Sequence, residues 1–174
     1  MGMDIYGVNA TNEKGEFFRN NVWWWRPLAS YILEEHWEIA QHCDPDYWHS
    51  NSGGGLNAEQ SELLAKAIKQ DLADGKVAEY ERKYREMLAE LPREYCDLCA
   101  GTGIRKDAVG IEHGMPTKEL SPEIVILTGR THGTCNACSG VGTKENFGMS
   151  YPFSTENVAE FAEFLTYCGG FQIC

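Results

Sequence analysis

Cys96-Asp97-Leu98-Cys99-Ala100-Gly101-Thr102-Gly103 and Cys135-Asn136-Ala137-Cys138-Ser139-Gly140-Val141-Gly142 are two copies of one pattern, C-x-x-C-x-G-x-G. Two thiolates three positions apart reach a single ion if the backbone between them turns tightly. The glycines that follow remove a Cβ, so the chain can reverse and turn its N–H groups toward the sulfurs. A lone C-x-x-C suits a redox pair, and iron–sulfur clusters also use thiolates. Duplication with identical glycine spacing reads instead as one tetrahedral zinc site with ligands Cys96, Cys99, Cys135 and Cys138. Four thiolates leave no position for water, so this ion is expected to hold the fold and do no chemistry.

Between the octets lie 31 residues, 104–134. Ile124-Val125-Ile126-Leu127-Thr128 is the best strand in the chain, with Gly129 as its stop, which predicts a small β insertion. Upstream, Leu28, Tyr31, Ile32, His36, Ile39 and Ala40 recur at helical spacing, and Pro27 suits a first turn, predicting a helix over 27–41. Residues 42–56 carry Pro45, Ser50, Asn51, Ser52 and Gly53-Gly54-Gly55 and read as a loop. Asn57 with Gln60 forms a capping box for a helix bearing Leu63, Leu64, Ala67, Ile68 and Leu72. Asp74-Gly75 ends it, and Val77, Tyr80, Tyr84, Met87, Leu88 and Leu91 make a second helix, closed by Pro92. The short connection predicts an antiparallel hairpin. Ser154 or Thr155 caps a last helix carrying Val158, Phe161, Ala162, Leu165 and Cys168, ended by Gly169-Gly170. Phe171-Gln172-Ile173-Cys174 is short enough to add a strand or tuck into the core. Residues 1–22 read as irregular or short extended structure.

The expected fold is therefore α+β and mainly helical. A helical hairpin and a C-terminal helix surround a zinc-stapled four-cysteine hairpin module. The expected organisation is a single domain, 1–174, with a zinc-binding subregion 96–142 and its insertion 104–134.

The chain has 174 residues, and its 26 acidic and 15 basic side chains give a net charge of −11. An acidic chain is repelled from phosphate backbones, so nucleic acid is an unlikely partner. Arg82-Lys83-Tyr84-Arg85 and Arg105-Lys106 are flanked by carboxylates and read as solvated faces. No apolar run is long enough for a bilayer, and the opening residues lack the basic-then-apolar order of an export signal. Cys43, Cys168 and Cys174 remain outside the metal set and are expected to be reduced thiols in a cytoplasm.

Three further segments are candidate sites. Asn21-Val22-Trp23-Trp24-Trp25-Arg26 places three adjacent indoles beside a guanidinium. In an extended segment the outer two share a face, and with Arg26 they would make a stacking platform for a base, sugar or cation. Gly53-Gly54-Gly55 leads into a helix start, where free N–H groups suit an anion. Together, Asn21, Trp23, Trp24, Trp25, Arg26, Gly53, Gly54 and Gly55 are the expected ligand-binding residues, for a nucleotide-like ligand. His42-Cys43-Asp44-Pro45-Asp46-Tyr47-Trp48-His49 concentrates metal-ligand types, but its spacing matches no catalytic motif, and a polar capped loop is the preferred reading. His36, His113 and His132 are left out of the metal set.

The octets resemble the zinc-binding repeat of DnaJ-type chaperones, which carry their repeats as two pairs forming two sites. This chain has one pair and no His-Pro-Asp of a J domain. Similar paired repeats occur in phage Q-type antitermination proteins. Phe17-Phe18-Arg19-Asn20-Asn21-Val22-Trp23-Trp24-Trp25-Arg26-Pro27-Leu28, after Met3-Asp4-Ile5-Tyr6-Gly7, is similar to the opening of small proteins of tailed phages and environmental sequences. That resemblance implies a viral accessory protein acting in a host bacterial cytoplasm.

The expected function is a non-enzymatic, zinc-stabilised binding protein. As a phage counter-defence protein it would sequester a nucleotide-type signal or bind a host protein. The alternatives are an antiterminator-like regulator, a metal-dependent hydrolase using residues 42–49, and a chaperone-like client binder. The oligomeric state is left open.

Overall fold

The computed structural model describes residues 2–174. In chain order the regular elements are β1 (Gly2–Gly7), α1 (Glu13–Glu16), β2 (Phe17–Asn21), α2 (Val22–Glu35), α3 (Trp37–Ala40), α4 (Ala58–Ala73), α5 (Lys76–Ala89), β3 (Glu94–Tyr95), α6 (Ala108–Glu112), α7 (Pro122–Thr128), β4 (Thr143–Lys144), α8 (Thr155–Tyr167) and β5 (Phe171–Ile173). The fold is α+β and mainly helical. It divides into two compact units: residues up to Ala89 together with Ser150–Cys174, and Glu90–Met149. The second unit is wider than the 96–142 subregion. No helix among the described residues is long and apolar enough to cross a membrane.

The first unit is built on a three-stranded antiparallel sheet, ordered β2-β1-β5. Met3 faces Asn20, Ile5 faces both Phe18 and Ile173, and Gly7 faces Phe171. Alternation sends Met3, Ile5, Phe18, Asn20, Phe171 and Ile173 to one buried face. α8 packs there, with the Phe161 ring 5.2 Å from Phe18 and 6.0 Å from Phe171. Ser154 caps α8 by accepting from the Asn157 N–H at 3.2 Å. The tail therefore takes the strand option, and residues 2–22 are more regular than their sequence suggests.

α2 begins at Val22, five residues before the expected start. Asn21 Oδ1 accepts from the N–H groups of Trp23 (3.0 Å) and Trp24 (3.1 Å), a good N-cap that overrides the signal of Pro27. The three tryptophans therefore sit about 100° apart around a helix and do not alternate along a strand. The α4–α5 hairpin forms as expected. Asn57 and Gln60 bond reciprocally at 3.0 and 2.9 Å, and Gly75 reverses the chain at φ +74°. α5 is largely external, with Val77 its one buried residue. Glu81 on α5 accepts from the Thr155 N–H and Oγ1 at 2.8 and 2.7 Å, tying the hairpin to the start of α8.

In the second unit, β3 pairs with β4, Glu94 opposite Lys144 and Tyr95 opposite Thr143, so the strands bracket the two octets. The predicted strand 124–128 is instead α7. Its flanks decide the matter: Ser121 is the N-cap position, Pro122 the first helical residue, and Gly129 takes φ +68° just past the end. Between the octets the β structure reduces to one bridge, Glu119 opposite His132.

Candidate metal centre

Each octet makes the same turn. Ala100 and Ser139 take the left-handed conformation at φ +48° and +50°, and the following Gly101 and Gly140 take +69° and +91°. The turn closes with Thr102 N–H donating to Cys99 O at 3.1 Å in one octet and Val141 N–H to Cys138 O at 3.0 Å in the other. The two turns then interlock. A Cβ on Gly103 would fall 2.1 Å from Gly140 O, and a Cβ on Gly142 would fall 2.3 Å from Gly101 O. The last glycine of each octet therefore lets the two backbones approach. Their N–H groups also serve the sulfurs: Gly103 donates to Cys99 Sγ at 3.3 Å and Gly142 to Cys138 Sγ at 3.2 Å.

The result is a buried set of four sulfurs. Cys96, Cys99, Cys135 and Cys138 are each at most 7% exposed, and their ligand atoms all lie within 4.8 Å of one another. Cys96 Sγ is 3.9 Å from Cys135 Sγ, and Cys99 Sγ is 3.7 Å from Cys138 Sγ. A tetrahedron with metal–sulfur bonds of about 2.3 Å has edges of about 3.8 Å. Two edges of the set match that spacing, and the four sulfurs are placed to hold a metal ion.

Two arginines brace the centre, and the sequence marks neither as part of it. Arg130 donates to the carbonyls of Gly133, at 2.9 Å, and Gly140. Arg105, expected to be solvated, bonds Asp107 at 2.8 Å and Asn136 Oδ1 at 3.0 Å, inside the second octet. No sequence motif marks either residue, because both contacts depend on the path of the insertion.

The other expected site residues serve packing and capping. Trp25 is fully buried; its Nε1 donates to Trp48 O at 2.5 Å and its ring stacks on Trp48 at 6.3 Å. Trp23 and Trp24 are half-buried. Trp23 lies 4.9 Å from the Tyr151 ring, and Trp24 O accepts from Asn157 Nδ2. Arg26 is exposed and donates to Tyr151 Oη at 3.1 Å, and Asn21 is the α2 cap. The glycine loop pairs with β5: Gly53 N–H donates to Ile173 O at 2.8 Å, and Gly54 O accepts from Ile173 N–H at 2.7 Å. A Cβ on Gly54 would meet Tyr47 Cβ at 2.3 Å, and one on Gly55 would meet Phe171 O at 1.8 Å. Those glycines are there for close packing, and the N–H of Gly53 is not aimed at an anion.

Residues 42–49 are a capped segment rather than an open loop, with Pro45–His49 wound as a short 3-10 turn. Asp44 Oδ1 accepts from the Asp46 N–H at 3.0 Å, and Trp48 is buried, its Nε1 donating to Ala40 O at 3.3 Å. Among the described residues, the four cysteines are the group of ligating side chains placed to share an ion. No protein-family model, curated protein or solved structure matches the chain.

Proposed function

We propose that this chain is a zinc-stabilised binding protein in which the ion shapes the second unit and performs no chemistry. The observation that carries the reading is the all-thiolate donor set, buried and at tetrahedral spacing, with no histidine or carboxylate among its members. Zinc suits four thiolates and no water; a catalytic zinc keeps an open position. Sulfurs that accept backbone N–H groups favour a bound ion over a labile redox pair.

The partner we propose is a host protein, with uptake of a nucleotide-type signal as the second arm, in a bacterial host's cytoplasm if the protein is viral. The exposed Ile111, Ile126 and Leu127, on α6 and α7, support the protein arm. The burial of Trp25 weakens the stacking platform on which the nucleotide arm rests. X-ray absorption at the zinc edge tests the central assignment. Four sulfur neighbours at about 2.3 Å with no light-atom neighbour is the expected result. A mixed shell containing oxygen or nitrogen would overturn it.

A further inference from the structure

The first unit contains a cleft that none of the expected sites touches. It has a volume of about 750 Å³ and lies between the C-terminal half of α2, the α4–α5 turn and one face of α5. That volume is within the range of small-molecule sites, about 300–1,000 Å³. On α5 the lining residues are Lys76, Glu79, Tyr80, Lys83, Tyr84 and Met87, spaced as one helical stripe. The stripe runs eleven positions, Lys76 to Met87, so the cleft is about 16 Å long.

Its wall is aromatic and rigid. Tyr31 and Tyr80 meet edge to face at 5.0 Å, and Tyr80 and Tyr84 stack at 6.2 Å. Each hydroxyl is anchored: Tyr31 donates to Asp71 Oδ2 at 3.1 Å, Tyr80 to Glu34 at 2.9 Å and Tyr84 to Tyr151 O at 3.0 Å. A phenol that donates to a carboxylate keeps a more electron-rich ring, which suits a cation over its face.

The charge selects the same class of ligand. Glu35, Asp71, Asp74 and Glu79 line the cleft against Lys76 and Lys83. Both lysines already face carboxylates: Lys76 Nζ is 2.8 Å from Asp71 and 3.8 Å from Asp74, and Lys83 Nζ is 3.5 Å from Glu79, which also accepts a two-pronged contact from Arg82 at 2.8 and 2.9 Å. Glu35 has no cation within ion-pair distance among the described residues, so the cleft carries surplus negative charge. That surplus disfavours an anion. Lys76, with a side chain 62% exposed, seats an aliphatic ammonium against Asp71 from within the chain. Asp71 is also held from behind: His36 Nε2 is enclosed 3.2 Å from its Oδ2, out of line for a hydrogen bond.

We propose that this cleft binds a linear aliphatic polyamine, its ammonium groups on Glu35 and Asp74 and its methylenes along Tyr80, Tyr84 and Met87. The site lies wholly in the first unit and does not depend on the proposed zinc.

Calorimetric titration of the intact, metal-loaded 174-residue chain with spermidine at low ionic strength tests this. The expected result is one saturable site per chain that persists in excess magnesium chloride. Affinity should fall about tenfold in Glu35→Gln and again in Tyr80→Leu. Glu35 is exposed, so its variant tests the site even if the Tyr80 variant folds poorly. Absence of a saturable site, equal displacement by magnesium, or unchanged affinity in Glu35→Gln would overturn the proposal. So would tighter binding of an oligolysine peptide than of spermidine, which would assign the cleft to a basic protein segment.

Discussion

Cys99 and Cys138 lie 39 residues apart in the chain, and their sulfurs lie 3.7 Å apart in the fold. Unpaired thiols gain little from such proximity, whereas a shared ion turns it into a cross-link closing the whole 104–134 insertion. A structural zinc supplies on the order of 10 kcal/mol to the domain that holds it.

Removal of the metal should therefore unfold one unit and spare the other. All five tryptophans, at 23, 24, 25, 37 and 48, lie in the first unit, so their fluorescence reports on that unit alone. With a strong chelator, amide protection over 90–149 should collapse while tryptophan emission stays native. Cys138→Ser should show the same split without chelator. Loss of native emission together with the amide protection would contradict the independence of the first unit's core.

The interlocking glycines give a graded expectation. Gly103→Ala and Gly142→Ala each push a methyl into a carbonyl of the opposite octet, at 2.1 and 2.3 Å, so both should lose zinc to a competing chelator at least tenfold more readily. Gly129→Ala meets nothing within 4 Å and carries only the strain of φ +68°, about 1 kcal/mol. Equal zinc retention in all three would show that the close approach of the octets is not needed.

The tryptophans should separate by burial. Trp25→Ala empties a fully enclosed site and should cost about 3–5 kcal/mol in denaturant unfolding. Trp23→Ala, at a half-buried position, should cost about 1 kcal/mol. A Trp25 variant of native stability would mean that the ring does not hold the core.

The pair His36 and Asp71 predicts an acid limb for the first unit. Burial holds the His36 imidazole below its usual range, outweighing the opposing pull of Asp71 and Glu35, with Lys76 adding to the depression. Burial pushes Asp71 up, but hydrogen bonds from Lys76 and Tyr31, with His36 nearby, carry it below the ordinary carboxylate value. A histidine depressed in the fold binds its proton more readily when unfolded. Its contribution is complete above about pH 6.5 and is lost as pH falls from there through the lower folded value. The Asp71 contribution is complete above about pH 3.9 and is lost only as pH falls through its own lower value. Melting followed by tryptophan emission should thus be flat above about pH 7 and decline below 6.5. His49, held below its usual range by burial and by nearby Arg26, adds to the same limb, so His36→Gln should reduce that first decline; an unchanged slope in the variant would contradict the assignment.

The octets and the α4–α5 hairpin were legible in the sequence because their determinants are local. A capping box spans four residues, and a C-x-x-C turn is set by its own glycines. The run Ile124–Thr128 misled because four apolar residues and a threonine suit a strand or a helix equally, and Ser121-Pro122 and Gly129, which decide it, lie outside the run. The β2-β1-β5 sheet was hidden for another reason. Ile5 becomes a central-strand residue only by pairing with Phe18 and with Ile173, at the far end of the chain. The tyrosine cleft draws on α2, α4 and α5, so no window of sequence displays Tyr31, Asp71 and Tyr80 together. The tryptophan triplet was conspicuous in composition, yet the Asn21 cap turned it into a helix start with one indole in the core.

Native mass spectrometry of the intact 174-residue chain puts the proposed metal cross-link to its most direct test. The account predicts a compact ion carrying one zinc per chain, with expanded, metal-free species appearing only after chelation. A compact polypeptide that carries no metal and has all its thiols free would contradict it.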